Sequence, residues 1–184
     1  MSSFASDEQL VGLIRQDQTG TSLQDQVSLL FEEARDDVYR YLLTLGLYPP
    51  QAQEAAQEVF LRLYATLCKG EEIQNPRARI FRVAHNLGLK IRARQHSEDP
   101  FNPELGAHST TQDATPESEL LERERMTRFH AAVEGLSEQQ RRCLFLRMEG
   151  LRYPEIGVTL GISASAVGEF LRRAIVRLKK VRDE

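Results

Sequence analysis

Arg79, Arg82, Asn86 and Lys90 recur at spacings of three, four and four residues, which places them on one face of a helix. They lie in a run between Glu72 and Glu98 that holds Arg77, Arg79, Arg82, Lys90, Arg92 and Arg94 and no acid. Positive charge laid along a helix binds phosphate through salt-sensitive contacts that carry no sequence information. A second basic block contains Arg172, Arg173, Arg177, Lys179, Lys180 and Arg182. Between the two, Glu98, Asp99, Glu104, Asp113, Glu117 and Glu119 face no Lys or Arg from His96 to Glu119. The formal net charge of −3 averages over these blocks and conceals them. Two basic blocks flanking an acidic connector suggest two polyanion-binding surfaces on separate modules.

Covalent and metal chemistry find little footing. Cys68 and Cys143 sit in helical apolar patterns and are expected to be reduced, buried or half-buried thiols. Neither has a Cys or His neighbour at the separations zinc sites use. His85, His96, His108 and His130 are scattered. No nucleophile–base pair, metal site or phosphate loop is recognisable, so no catalytic residue, metal or cofactor is expected, and the chain is expected not to be an enzyme. No apolar run approaches the roughly 20 residues a membrane span needs. Met1 to Asp7 lacks the basic start and apolar block of an export signal. A cytoplasmic protein without membrane insertion is expected.

The elements that position these side chains are helical almost throughout. The spacing predicts a short helix over Asp7 to Gln16 and a longer one from about Ser22 to Leu45, ended by Gly46 as a C-cap. A third helix starts at Pro49-Pro50, with Ala52, Ala56, Val59, Leu63 and Leu67 on its core side. Asn75-Pro76 opens a fourth, with Ile80, Ala84, Leu87 and Ile91 as its apolar stripe. Gln95 to Thr115 is aperiodic and rich in Pro, Gly, Ser, Thr, Asn and acids, a flexible linker too long for one compact domain. Thr115-Pro116 begins another helix reaching about Glu134, and Ser137 with Gln140 forms a capping box. The expected architecture is all-α: a helical domain over residues 1–95, an acidic linker over 96–115, and a second helical domain over 116–184.

Leu151 to Lys180 has the pattern of a helix-turn-helix. A short helix carries Ile156 and Leu160, and Gly161-Ile162-Ser163 makes the turn. Ser163 then caps a long helix whose buried stripe is Val167, Leu171, Ala174, Leu178 and Val181. Such a unit places the start of its second helix in the major groove.

These motifs resemble a known family. Leu136-Ser137, Gln140-Arg141-Arg142, Leu146-Arg147, Glu149-Gly150-Leu151, Tyr153, Glu155-Ile156 and Leu160-Gly161-Ile162-Ser163 resemble region four of the extracytoplasmic-function sigma factors. Gln57-Glu58-Val59-Phe60-Leu61-Arg62-Leu63-Tyr64 resembles that family's polymerase-binding helix. Pro76-Arg77-Ala78, Phe81-Arg82-Val83-Ala84 and Asn86-Leu87 resemble its promoter-melting helix. The three matches stand in order along nearly the whole chain.

The resemblance implies a factor that binds core RNA polymerase and directs promoter-specific initiation. Glu54, Gln57, Leu61 and Tyr64, a face distinct from the alanine-rich stripe, would dock on a coiled coil of the largest polymerase subunit, with Glu58 beside them. Leu61 and Tyr64 would be its apolar anchors. Arg77, Arg79, Arg82, Asn86 and Lys90 would meet the −10 element. Asn86 matches a position that helps hold a base flipped from the non-template strand, and an amide offers that base both a donor and an acceptor. Ser163, Ser165, Glu169, Arg172, Arg173 and Arg177 would meet the −35 element. The linker would thread through the polymerase near the template channel and RNA exit path. An anti-sigma factor is an expected partner.

The second helix of the motif departs from the family pattern. Gly168 and Glu169 stand where relatives commonly carry a basic residue and then a small hydroxyl. Phe170, Ile175 and Val176 replace positions that are often basic or polar, and Arg79 stands where many relatives have an aromatic ring. A carboxylate at Glu169 is able to accept from cytosine N4 in the major groove. The departures leave two other functions open. One is a sigma mimic that titrates an anti-sigma factor through exposed apolar residues such as Phe170 and Val176. The other is a stand-alone helix-turn-helix regulator.

Overall fold

A computed structural model of the chain describes residues 23–71, 73–98, 127–128 and 130–183. Its helices are α1 (Leu23–Thr44), α2 (Pro49–Cys68), α3 (Pro76–Glu98), α4 (Glu138–Met148), α5 (Tyr153–Leu160) and α6 (Ala164–Asp183). Residues 127–128 and 130–134 are also helical, and no strand occurs among the described residues. The expected helix at 7–16 and residues 99–115 of the expected linker lie outside the described residues. Residues 96–98, expected as linker, continue α3.

Local signals set the helix ends. After α1, Gly46 adopts φ +91°. There the Leu47 amide donates to the Leu42 carbonyl at 3.3 Å and the Gly46 amide to the Leu43 carbonyl at 2.9 Å, the paired bonds of a Schellman turn. Asn75 caps α3, its Oδ1 accepting from the Ala78 amide at 3.0 Å. At α4 the Gln140 amide donates to Ser137 Oγ at 3.3 Å, and the Ser137 amide to Gln140 Oε1 at 3.0 Å. Removing one half of such a box costs about 1 kcal/mol. Ser137→Ala is therefore expected to lower the urea midpoint of unfolding by a small, measurable step.

The α1–α3 bundle buries Leu30, Ala34, Val38, Tyr41, Leu42 and Leu45 of α1 against Val59 and Leu63 of α2 and Ile80, Phe81 and Ala84 of α3. Ala52, Ala56 and Leu67 are buried as the periodicity predicts, whereas Ile91 is only half-buried. α3 approaches α1 closely at Gly88, where a Cβ would stand 2.6 Å from Leu45 Cδ1. In the other bundle Cys143, Leu146, Leu151, Ile156, Val167, Leu171 and Ala174 are buried. The turn between α5 and α6 brings the Ile162 carbonyl to within 2.7 Å of where a Cβ on Gly157 would sit. Burial pushes the Cys143 thiol up to about 11, so it stays protonated. Cys68, expected at least half-buried, is exposed. It is the last residue of α2.

The two bundles pack on one another through a single continuous core. α3 lies against α5, and α1 touches α4. The Phe145 ring of α4 sits 5.3 Å from Tyr41 and 6.4 Å from Phe81. The Tyr41 ring is itself 5.5 Å from Phe81, nearly edge-on. Aromatic pairs at these separations add to the area they bury.

Candidate functional site

α3 carries the first basic face. Arg82, Asn86 and Lys90 are exposed, one helical turn apart, opposite buried Ile80, Ala84 and Leu87. Arg82 has no ion-pair partner among the described residues, while Arg79 is half-buried with Nη2 3.9 Å from Glu71 Oε2. Arg82 and Arg79 also line a cavity with Asn75, Glu155 and Val158, where α5 closes on the start of α3. The upper part of the basic face is thereby partly covered, and its Asn86–Lys90 end faces solvent.

Arg77 does not belong to this face. It is 5% exposed, and its guanidinium is held between the bundles. Nε donates to the Glu149 main-chain carbonyl at 2.7 Å, and Nη2 donates to Asp37 Oδ2 at 2.9 Å and to the Glu149 carboxylate. The guanidinium also lies 5.7 Å from the Phe81 ring centre. The expected −10 contact from Arg77 is corrected accordingly. Arg77 precedes Ile80, Phe81 and Ala84 by three, four and seven residues, the spacing of their own buried stripe. That spacing was the available signal, and the charge masked it. Burial, reinforced by neighbouring Asp37, pushes the Glu149 carboxyl up against the pull of Arg77.

Further polar contacts cross the same seam. Asn75 Nδ2 donates to Glu155 Oε1 at 2.8 Å. Arg92 Nη2 donates to Glu138 Oε1 at 2.9 Å, and within α4 Arg142 Nη2 donates to Glu138 Oε2 at 2.7 Å. The Arg92 hydrogen bond holds Glu138 below its ordinary range despite partial burial. Glu155 is also lowered, because bonds from Arg152 and Asn75 outweigh its burial. Sequence periodicity carried no sign of the Asn75–Glu155 and Arg92–Glu138 pairs, since each joins residues far apart in the chain.

α6 carries the second basic face. Ser163 caps it, Oγ accepting from the Ala166 amide at 3.2 Å. Val167, Leu171 and Ala174 are buried as expected, and Leu178 is half-buried. Ser165, Glu169, Arg172, Arg173 and Val176 project from the opposite side, with all but half-exposed Glu169 exposed. Arg177 leans aside, its Nη2 2.3 Å from where a Cβ on Gly135 would stand. Phe170, expected to be exposed, is half-buried and packed against the core. Ile175 and Val176 remain 44% and 48% exposed.

The α2 face is divided in the same way. Glu54, Gln57 and Leu61 are exposed, Leu61 at 63%, while Glu58 and Tyr64 are half-buried. Leu61, Tyr64 and Gln57 border a groove with Phe31 and Phe60, whose rings meet edge-on at 5.1 Å. Glu58 pairs with Arg62 of its own helix at 2.7 Å.

The chain is similar to known proteins in sequence and in fold. Residues 126–178 match the family model for sigma-70 region 4. The chain is 27% identical over 157 residues to the ECF RNA polymerase sigma factor SigE of Mycolicibacterium smegmatis, covering 82% of this chain and 59% of that one. It is 25% identical over 160 residues to the RNA polymerase sigma factor YlaC of Bacillus subtilis, covering 85% of this chain and 92% of that one. Its fold matches the Bartonella quintana sigma factor RpoE, solved in complex with the anti-sigma factor NepR. The TM-score there is 0.65 at 17% identity, over 85% of this chain and 96% of that one. The chain thus carries a match to sigma-70 region 4 and is similar over most of its length to RNA polymerase sigma factors, an extracytoplasmic-function member among them.

Proposed function

We propose that this chain is a non-enzymatic initiation subunit that binds core RNA polymerase in the cytoplasm and directs it to a small set of promoters. The observation that carries the proposal is the pairing, within one chain, of two exposed basic helix faces. One is the Arg82–Asn86–Lys90 row of α3 and the other is the outward side of α6. A stand-alone helix-turn-helix regulator has no use for the first. Arg82 and Lys90 would hold single-strand backbone, and the Asn86 amide would hold an extruded base. Half-covered Arg79 would join them once α5 moves away. Gln57, Leu61 and Tyr64 on the rim of the α1–α2 groove, with Glu54 and Glu58 beside them, would dock on the polymerase, exposed Leu61 acting as anchor. Ser163, Ser165, Arg172, Arg173 and Arg177 would contact the −35 duplex. Residues 99–115 would link the two sites. No helix among the described residues is long and apolar enough to cross a membrane.

An anti-sigma partner fits the packed arrangement. With α5 against the start of α3, a protein that stabilises the seam keeps the melting face from its promoter. The closed contact also supports the mimic reading, in which such a partner is the chain's main ligand, and the same experiment separates the two. Purified chain with core polymerase should give promoter-specific run-off transcripts. Arg82→Ala with Asn86→Ala should cut permanganate-reactive open complex at least tenfold without changing the unfolding midpoint. Unaltered strand opening in that double variant would refute the assignment.

A further inference from the structure

Glu169 stands six residues beyond the cap of α6, on the side of the helix turned away from the core. Its carboxylate is fully occupied by two neighbours. Arg172 grips it twice, Nε to Oε2 at 3.0 Å and Nη2 to Oε1 at 2.8 Å. Arg173 Nε donates to the same Oε1 at 2.9 Å. The two arginines that lead the outward face of the recognition helix are thus forked onto one anion of their own chain.

We propose that Glu169 is a specificity-determining residue that withholds Arg172 and Arg173 from DNA backbone, suppressing binding to duplexes of arbitrary sequence. Exposed ion pairs of this kind add little to folding stability, so the contact's consequence lies in what it denies to a competitor. A phosphate offers the guanidinium forks the same planar, bidentate geometry as a carboxylate. Backbone binding at this face must first displace Glu169. The displaced carboxylate then lies close to the polyanion, where it is repelled. Hydrogen bonds from Arg172, and then from Arg173, hold Glu169 down to about 2, so the brake is charged at every working pH. A factor that must find few sites among very many gains more from a lower background than from raw affinity. The inference rests on the promoter-binding function proposed above and identifies which α6 residue sets its discrimination.

The test is the salt dependence of duplex binding by the full chain, read by fluorescence anisotropy on a labelled random-sequence duplex. Glu169→Gln keeps the side chain's size and removes its charge. It should tighten random-duplex binding about three- to tenfold at low salt. It should also steepen the slope of log affinity against log salt by about one to two, since each released arginine adds roughly 0.9. The triple variant E169Q/R172Q/R173Q should return both values to the wild-type level, tracing the effect to those two side chains. In polymerase-bound form, E169Q should gain less on promoter DNA than on random DNA, so the ratio falls. Equal affinity and slope for wild type and E169Q would overturn the proposal. So would an E169Q variant that loses promoter affinity with random binding unchanged, because Glu169 would then be reading a base. Run-off transcription by the wild type tests the promoter-binding function separately, so the two failures are distinguishable.

Discussion

Replacing Arg77 with alanine is expected to separate the two bundles while leaving each one helical. The guanidinium is the cation shared by Asp37 and Glu149 at the seam, and only 5% of it reaches solvent. Its removal leaves Glu149, itself 7% exposed, with no counter-charge at the contact and Asp37 close by. Removing one partner of a buried pair costs about 3–5 kcal/mol. The chain has a cheaper escape than unfolding, because parting the bundles returns Glu149 to water. The closed-to-open equilibrium should move by at least a hundredfold. Small-angle scattering should show a larger radius of gyration and a broader distance distribution, with helicity by circular dichroism retained. Glu149→Gln, which keeps shape and a hydrogen-bonding oxygen, should open the molecule less. A compact scattering curve for Arg77→Ala would show that the aromatic contacts around Phe145 hold the seam without the ion triad.

Stability should also fall as the pH drops from about 6.5 toward 4, with His85 as the main cause. His85 is 5% exposed, and its Nδ1 meets the Tyr41 hydroxyl at 2.9 Å. Burial, and then the positive charge of Arg142, lower its pKa from 6.5 to about 4. Burial raises the Tyr41 phenol well above its ordinary value, so the hydroxyl remains the donor and Nδ1 the acceptor. Below 6.5 the unfolded chain takes up a proton on this imidazole and the folded chain does not. The stability His85 supplies is therefore complete above that value and is lost as the pH descends to 4. The full loss is roughly 3 kcal/mol, with a slope near 1.4 kcal/mol per pH unit inside the window. Glu149 acts in the opposite sense. Its raised carboxyl favours the folded, protonated form in acid, and softens the decline at the lower end. Urea midpoints at pH 7 and pH 5 should differ for the wild type. His85→Gln, which retains an acceptor for Tyr41, should flatten the difference. A wild-type midpoint that is constant across that window would refute the account of His85.

Short-range periodicity and capping made most helix starts and stops legible from residue order. The Gly46 stop, the Pro49 and Pro76 starts, the Ser137–Gln140 box and the Ser163 cap each depend on a few adjacent residues, and each stands where its chemistry dictates. The core faces of α2 and α6 were legible for the same reason, since burial recurs with the helical repeat. The acid-free run between Glu72 and Glu98 exposed the basic face of α3, whereas on α6 Arg172 and Arg173 meet Glu169 three and four residues away. Tertiary structure decided which of the α3 charges are free. Arg77 looks like its neighbours in sequence, yet Asp37 and Glu149, forty and seventy-two residues away, bury it. Phe170 likewise lost its outward position to the core. The contact between the bundles was beyond any local pattern. It is made of single side chains from distant segments, and its strength comes from desolvation that only the assembled seam creates.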